Sequence, residues 1–366
     1  MTSDDLALPR GTTPETGEPT AADEPEETTA VDRWSRPYAG WMVVARKEFA
    51  DHLLSVRFFV LVLVLGIAAF VPLYFAASRI TSLASSVSGE PALFLALFFI
   101  TSDPASSAGV TVPGVVDFLK LFAPLLGIAF AFDAVNGERA EGTLPRLLSQ
   151  PIHRDDVING KFAAGLAIIG LVVVGVLLFV AGVGIFRLGI VPSPTEVLRL
   201  FVWILLTLVY ISLWLAFGMM LSVLVRSAAT SALIGFGMWV LITFVGGFIL
   251  SFVAGVVAPV SQALLNTDPD QYLANSGLQE SIFRLLPNTL YGESSLLLLN
   301  PSATSQNIST PANIGQAIQA QQQIGSLLSL DQSFIIVWPQ VVALVALTVL
   351  CFAVAYIRFM RQEVRA

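Results

Sequence analysis

Charge is what this chain most lacks. Asp, Glu, Lys and Arg make up 12% of its 366 residues, about half the share of an ordinary soluble domain. Cysteine occurs once, at Cys351 in an apolar run, so no disulfide can close within the chain and no thiol metal site can form. His52 and His153 are the only histidines. Without an HExxH or a GxSxG pattern, zinc-protease and serine-hydrolase chemistry lack their residues. The phosphate loop of an ATPase is also missing: Gly160-Lys161 is followed by Phe162 and has no glycine at the required spacing upstream.

What the chain has is apolar surface. Hydrophobic residues are 55% of the sequence and the mean hydropathy is +0.78. A soluble domain of this size cannot hide that much, which points to an integral membrane protein. The net charge of −7 belongs to one end: residues 1–32 hold nine carboxylates against one arginine, and the rest holds 18 basic and 17 acidic groups. This Pro-, Thr- and Glu-rich stretch has no aromatic and cannot repay chain entropy by burial, so residues 1–38 read as a disordered acidic tail ahead of a membrane domain over 39–366. It lacks the basic and apolar regions of a signal peptide. Arginine outnumbers lysine 16 to 3; with the acidic tail this suggests a high-GC, prokaryotic and salt-adapted source.

About 20 apolar residues cross a bilayer as a helix. Runs at 58–77, 162–186, 200–225 and 334–357 fit. The run at 228–260 is too long for one upright span, so it tilts or breaks at Gly246-Gly247 and Gly255. The run at 115–135 is polar at both ends and contains Pro124; Asp117 and Lys120 lie three apart on one helical face, where they can form a structural ion pair. Residues 91–100 are apolar but too short to cross and read as an interfacial or re-entrant piece. Six spans result. Arg and Lys concentrate before span one, between spans two and three, at Arg226 and after span six, which places both termini in the cytoplasm. Residues 261–333 are then an outer loop. Its segment 278–299 suits either lying flat on the membrane or capping the outer end of the bundle, and a Gln-rich polar stretch follows. Spans three to six contain no ionisable residue in their apolar runs, unlike a proton- or sodium-coupled carrier.

The densest charge cluster lies in the short connection ERAEGTLPRLLSQPIHRDDVINGKF, residues 138–162. Thr143 suits a helix start with Pro145 in its first turn; Leu144, Leu147 and Leu148 share a face, and Pro151 ends it. Asp155 and Asp156 favour the start of the next helix, which continues through Lys161 into span three. A short amphipathic helix between two spans fits two uses equally: docking a soluble protein, or lying at the lipid interface.

The order Asp133, Glu138-Arg139, Glu141, Gly142-Thr143-Leu144, Leu147-Leu148, Ser149-Gln150-Pro151, Arg154 and Gly160-Lys161 resembles the hallmark of ABC-2 type transporter permeases. The segment ARKEFADHLLSVRFF, with Arg46, Glu48 and Arg57, resembles the amphipathic helix that leads into span one in that family. The similarity is nearest to the branch of copper-processing and nitrous-oxide-reductase maturation permeases. Two features depart from it: Pro145 within the docking helix, and the lack of any Cys, His or Met in 261–333, which leaves direct copper binding without ligands.

The resemblance implies an all-α integral membrane protein with six transmembrane helices, an amphipathic N-terminal lead-in helix and a cytoplasmic docking helix between spans two and three. It implies the permease subunit of an ATP-driven exporter in the plasma membrane, not itself an enzyme and with no cofactor or metal of its own. ATP and Mg belong to a separate ABC ATP-binding subunit, present in two copies and docked through Glu138, Arg139, Glu141, Gly142, Thr143, Leu144, Leu147, Leu148, Ser149, Pro151, Arg154 and Lys161. The other partners implied are a second copy of the chain, as a homodimer, and membrane lipid; nucleic acid is not among them. Gly235-Phe236-Gly237 offers a small-residue face for close helix contact. An ATP-independent membrane scaffold recruiting a soluble protein through the same loop is the alternative.

Overall fold

The computed structural model describes residues 40–82, 93–99, 113–145, 152–300 and 329–361. The acidic tail, the Gln-rich stretch and residues 146–151, which include Leu147, Leu148, Ser149 and Pro151, lie outside the described residues.

The described residues are helical. In chain order they form α1 (Gly40–Leu53), α2 (Val56–Ser82), α3 (Leu93–Phe99), α4 (Val115–Ala131), α5 (Asn136–Ala140), α6 (Arg154–Leu188), α7 (Pro194–Leu224), α8 (Ala228–Val240), a π-helical turn (Leu241–Val245), α9 (Gly246–Val257), α10 (Gln262–Thr267), α11 (Pro269–Phe283), α12 (Pro287–Leu299) and α13 (Leu330–Met360). Among the described residues six stretches are long and apolar enough to span a bilayer: α2, α4 with α5, α6, α7, α8 through α9, and α13. The chain is an all-α, multi-pass membrane protein.

Span four, α7, is the hub: it packs on α4, α6, α8, α12 and α13. Its start is fixed locally. Ser193 accepts from the Glu196 N–H at 3.3 Å, the Glu196 carboxylate accepts from the Ser193 N–H at 2.8 Å, and Pro194 occupies the first turn, where no N–H is needed. Polar side chains then tie the hub to its neighbours. Arg199 donates to the Leu298 carbonyl and the Ser333 hydroxyl, and Trp203 donates to Ser295. The Tyr210 ring stacks on Tyr291 at 4.4 Å between centroids.

Pro124 explains another of these ties. It lacks the N–H that would bond the Lys120 carbonyl four residues back, and the Tyr210 hydroxyl donates to that carbonyl at 3.1 Å instead. Trp239 donates to the adjacent Leu121 carbonyl at 3.0 Å. A proline in a span is thus accommodated by donors from two neighbouring helices. On the same helix a Cβ at Gly127 would sit 2.7 Å from the Leu215 nitrogen, so the backbones of α4 and α7 touch where the side chain is missing.

Several expectations change here. Span five does not break at its glycines: α8 runs through the π turn into α9, and Gly246 receives the Leu286 side chain. At about 1.5 Å per residue its 30 residues reach about 45 Å, longer than a hydrocarbon core of about 30 Å. Asp117 and Lys120 do not form an ion pair in contact among the described residues; the Lys120 ammonium points to α12, 3.2 Å from where a Cβ of Gly292 would lie. Gly235 packs within the chain, against Ile128, while Gly237 faces open space. Of the two readings of segment 278–299, capping fits its second part: α12 is enclosed by α4, α7 and α13, with Tyr291, Ser294 and Leu299 fully buried. The short α3 is buried too, and its Phe94 N–H donates to Glu196.

Candidate functional site

The motif between spans two and three starts at a bend. After α4 ends, the Val135 and Asn136 N–H groups both donate to the Ser222 hydroxyl of α7, at 2.9 and 3.2 Å, which satisfies two donors that the start of α5 leaves over. Asp133, at the bend, pairs with Arg57, whose guanidinium also lies 5.1 Å over the Phe132 ring. Arg57 is the second helical residue of α2 and does not belong to the lead-in helix; α1 ends at Leu53, and the Ser55 hydroxyl caps the Phe58 N–H to start the span.

The Gly-Thr step of the motif has a geometric reason. Helix α5 ends with the Gly142 N–H donating to the Arg139 carbonyl and the Thr143 N–H to the Glu138 carbonyl, with Gly142 at φ +70. This six-to-one and five-to-two pattern is a Schellman stop, which demands a left-handed residue where glycine sits. The Thr143 hydroxyl also donates to the Glu138 carbonyl, at 3.2 Å. Thr143 therefore closes the helix before it; Leu144 and Pro145 are helical directly after it, and the cap that the sequence suggests there would fall on residues outside the described ones. Leu144 turns inward and is buried, while Glu141, Gly142 and Thr143 stay exposed.

The Gly-Lys step has a reason as well. A Cβ at Gly160 would lie 2.7 Å from both the Trp41 carbonyl oxygen and the Val44 side chain, so α1 rests directly on α6 at this residue. That approach brings Glu48 within 3.0 Å of the Lys161 ammonium, and Glu138 reaches the same ammonium at 2.7 Å. The Lys161 side chain is only 4% exposed, against 12% for Glu48 and 19% for Glu138. One buried cation thus holds two carboxylates from α1 and α5. Burial raises the Glu48 carboxyl; the charge and hydrogen bond of Lys161, together with those of Lys47, outweigh this and hold it below its ordinary value. The second Glu138 oxygen is buried with no hydrogen-bond partner among the described residues. His52 sits edge-on to Phe130, and burial pushes its pKa down.

The predicted docking residues therefore divide. Glu138 and Lys161 form an internal strut with Glu48; Leu144 is core; Glu141, Gly142, Thr143 and Arg154 are on the surface, with Arg139 half-buried. Arg46 is exposed on α1. The start of α6 follows expectation: the Asp156 carboxylate accepts from the His153 N–H at 3.3 Å, and one helix runs from Arg154 into the membrane. The sequence reading missed Ser222 and the role of Gly160. A serine in an apolar span carries no signal of its own; the Gly-Lys spacing does, once α1 is set beside it. Among the described residues no cluster of His, Cys, Asp and Glu is placed to hold a metal.

Comparison with known proteins agrees with this architecture. Residues 42–364 match the family described as ABC-2 family transporter protein. The chain is also similar to the probable ABC transporter permease protein NosY of Stutzerimonas stutzeri, 27% identical over 217 residues, covering 57% of this chain and 68% of that protein. Six apolar helices, the ordered motif between spans two and three and a family match over nearly the whole described region lead to one conclusion: the chain belongs to the ABC-2 transporter family and is a transmembrane permease of an ABC transporter.

Proposed function

We propose that this permease is the membrane half of an exporter, coupled through residues 138–161 to a separate subunit that binds and hydrolyses ATP with Mg. The observation that carries this reading is the Glu48–Lys161–Glu138 strut. It fixes the base of the connecting loop to α1 and α6, so a push on the exposed Glu141 to Thr143 turn reaches α6 and, through α5 and the bend at Asp133, α4. Two permease copies and two ATPase copies make the working unit, in the plasma membrane, with the loop and both termini cytoplasmic. ATP-driven closure of the ATPase pair tilts the spans and opens a path outward between the copies. Asp117 and Lys120, both on the opposite end of α4 from the loop, take no part in coupling.

The test is recovery of partners from the full-length tagged chain in mild detergent, with ATP hydrolysis assayed on the eluate. A phosphate-loop ATPase in near-equal amount is expected. Reversing the surface charges, Glu141→Arg with Arg154→Glu, should lower its recovery about tenfold, a loss on the order of 1.4 kcal/mol, with the chain still inserted and folded. A chain that brings down another soluble protein and no ATPase would favour the scaffold reading.

A further inference from the structure

A cavity of about 900 Å³ opens between α2 and α6 on the end of the molecule away from the loop. That volume is at the upper end of the range for sites that enclose a whole ligand. Its walls change character along their length. Phe70, Leu73, Ala77, Phe179 and Val183 line the deeper part, and Ser78, Thr81 and Arg187 stand where the two helices end. From Phe70 to Thr81 the wall runs about 16 Å at the helical rise of about 1.5 Å per residue, close to half of a hydrocarbon core of about 30 Å. The groove is therefore as deep as one leaflet's acyl chains, with its polar groups at headgroup level.

The polar rim is suited to an anion. Arg187 is exposed and takes part in none of the ion pairs found among the described residues. The Ser78 and Thr81 hydroxyls spend their protons on the Tyr74 and Ala77 carbonyls, at 2.8 and 2.9 Å, which leaves Arg187 as the charged donor. The width of the groove is set by Gly182, which lines it and would have nothing within 4 Å of an added Cβ. A helix in lipid gains nothing from glycine there unless the space is used, since alanine is favoured by about 1 kcal/mol in a helix interior.

We infer that this groove seats one anionic phospholipid of the surrounding leaflet, its acyl chain along Leu73, Phe179 and Val183 and its phosphate on Arg187. Under the proposed orientation this is the outer leaflet. The lipid wedges α2 against α6, whose other end carries Lys161 of the strut. No groove residue belongs to the loop 138–161, so the site stands whether or not the loop docks an ATPase.

The experiment is native mass spectrometry of the full-length chain in detergent, titrated separately with dioleoyl phosphatidylglycerol and dioleoyl phosphatidylcholine. The wild type should retain phosphatidylglycerol over phosphatidylcholine. Arg187→Gln should erase that preference, about tenfold, the size of one charge-assisted hydrogen bond. Gly182→Leu fills the groove, improves helix propensity, and should reduce retention of both lipids with an unchanged elution volume. Inorganic phosphate at matched concentration should leave the adducts in place. Equal phosphatidylglycerol retention in all three proteins, or displacement by phosphate alone, overturns the assignment. So does a shift from dimer to monomer in Gly182→Leu with its lipid adducts intact, which would make the groove an interface between copies.

Discussion

Lys161 is a single positive charge shared by two carboxylates in a place with little water. Removing one member of a buried ion pair costs about 3–5 kcal/mol, because the charge left behind is uncompensated. Lys161→Met leaves Glu138 without its cation and Glu48 with only the exposed Lys47, 3.4 Å away, and should lower the melting temperature in detergent more than Glu48→Gln or Glu138→Gln, each of which leaves Lys161 one partner. A smaller loss in Lys161→Met than in either glutamine variant would dismiss the strut. The same site sets an acid limit. Glu48 is held below its ordinary value of 4.5, so its contribution to stability is fully present above about pH 4.5 and fades as the pH falls through the lower folded value. Thermal melts at falling pH should show a steeper loss for the wild type than for Glu48→Gln. At Gly160, an added methyl meets the backbone of α1. Gly160→Ala should therefore destabilise by about 1–3 kcal/mol. Gly175→Ala in the same helix, with nothing near its Cβ, should be neutral or stabilising by up to about 1 kcal/mol.

At the scale of elements, the sequence spoke clearly where a helix is long and uniformly apolar. The runs at 58–77, 162–186, 200–225 and 334–357 coincide with observed helices, because lipid leaves the backbone no alternative. It spoke less clearly where burial is by protein rather than lipid. Segment 278–299 mixes Ser, Glu, Asn and Leu, and its fate depended on partners such as Trp203 and Thr207 that lie far away in sequence. The site was legible as a list and not as an arrangement. Glu48, Glu138 and Lys161 each stand out as charged motif residues, but charge in a loop reads as surface, and only the approach of α1 at Gly160 turns it inward. Thr143 shows the same limit: a threonine shortly before a proline fits a helix start, and Leu144 and Pro145 are indeed helical, but its second task, in the Schellman stop at Gly142, is visible only through backbone bonds. Pro124 offers a test at this scale. Tyr210→Phe leaves the Lys120 carbonyl without its donor, a loss of about 1–3 kcal/mol. Pro124→Ala restores a helical N–H to that carbonyl, so in the double variant the tyrosine change should cost markedly less. Strict additivity of the two melting shifts would remove Tyr210 as the compensating donor.

For the whole molecule, spans two and four are the most enclosed and span five the least, with Leu233, Phe248, Phe252 and Val256 turned outward. Such a surface is at home only against lipid or another span. The proposed orientation can be read directly, because Cys351 is the single cysteine and its replacement by alanine gives a clean background. In that background a cysteine at the exposed Gln271 should react with a membrane-impermeant maleimide on intact cells. A cysteine at the exposed Glu141 should react only after permeabilisation. The opposite pattern would invert the topology and move the loop away from any cytoplasmic ATPase.

The strut also has a history in time. Glu48 and Lys161 stand 113 positions apart, and synthesis proceeds at about 5–20 residues per second, so roughly ten seconds separate their emergence from the ribosome. Throughout that interval Glu48 has only its neighbour Lys47 as a partner, while spans one and two are already being handed to the membrane. The joint at Gly160 closes only when the third span arrives. A nascent chain halted between residues 140 and 160 should therefore leave α1 open to protease, and one halted well past Lys161 should protect it.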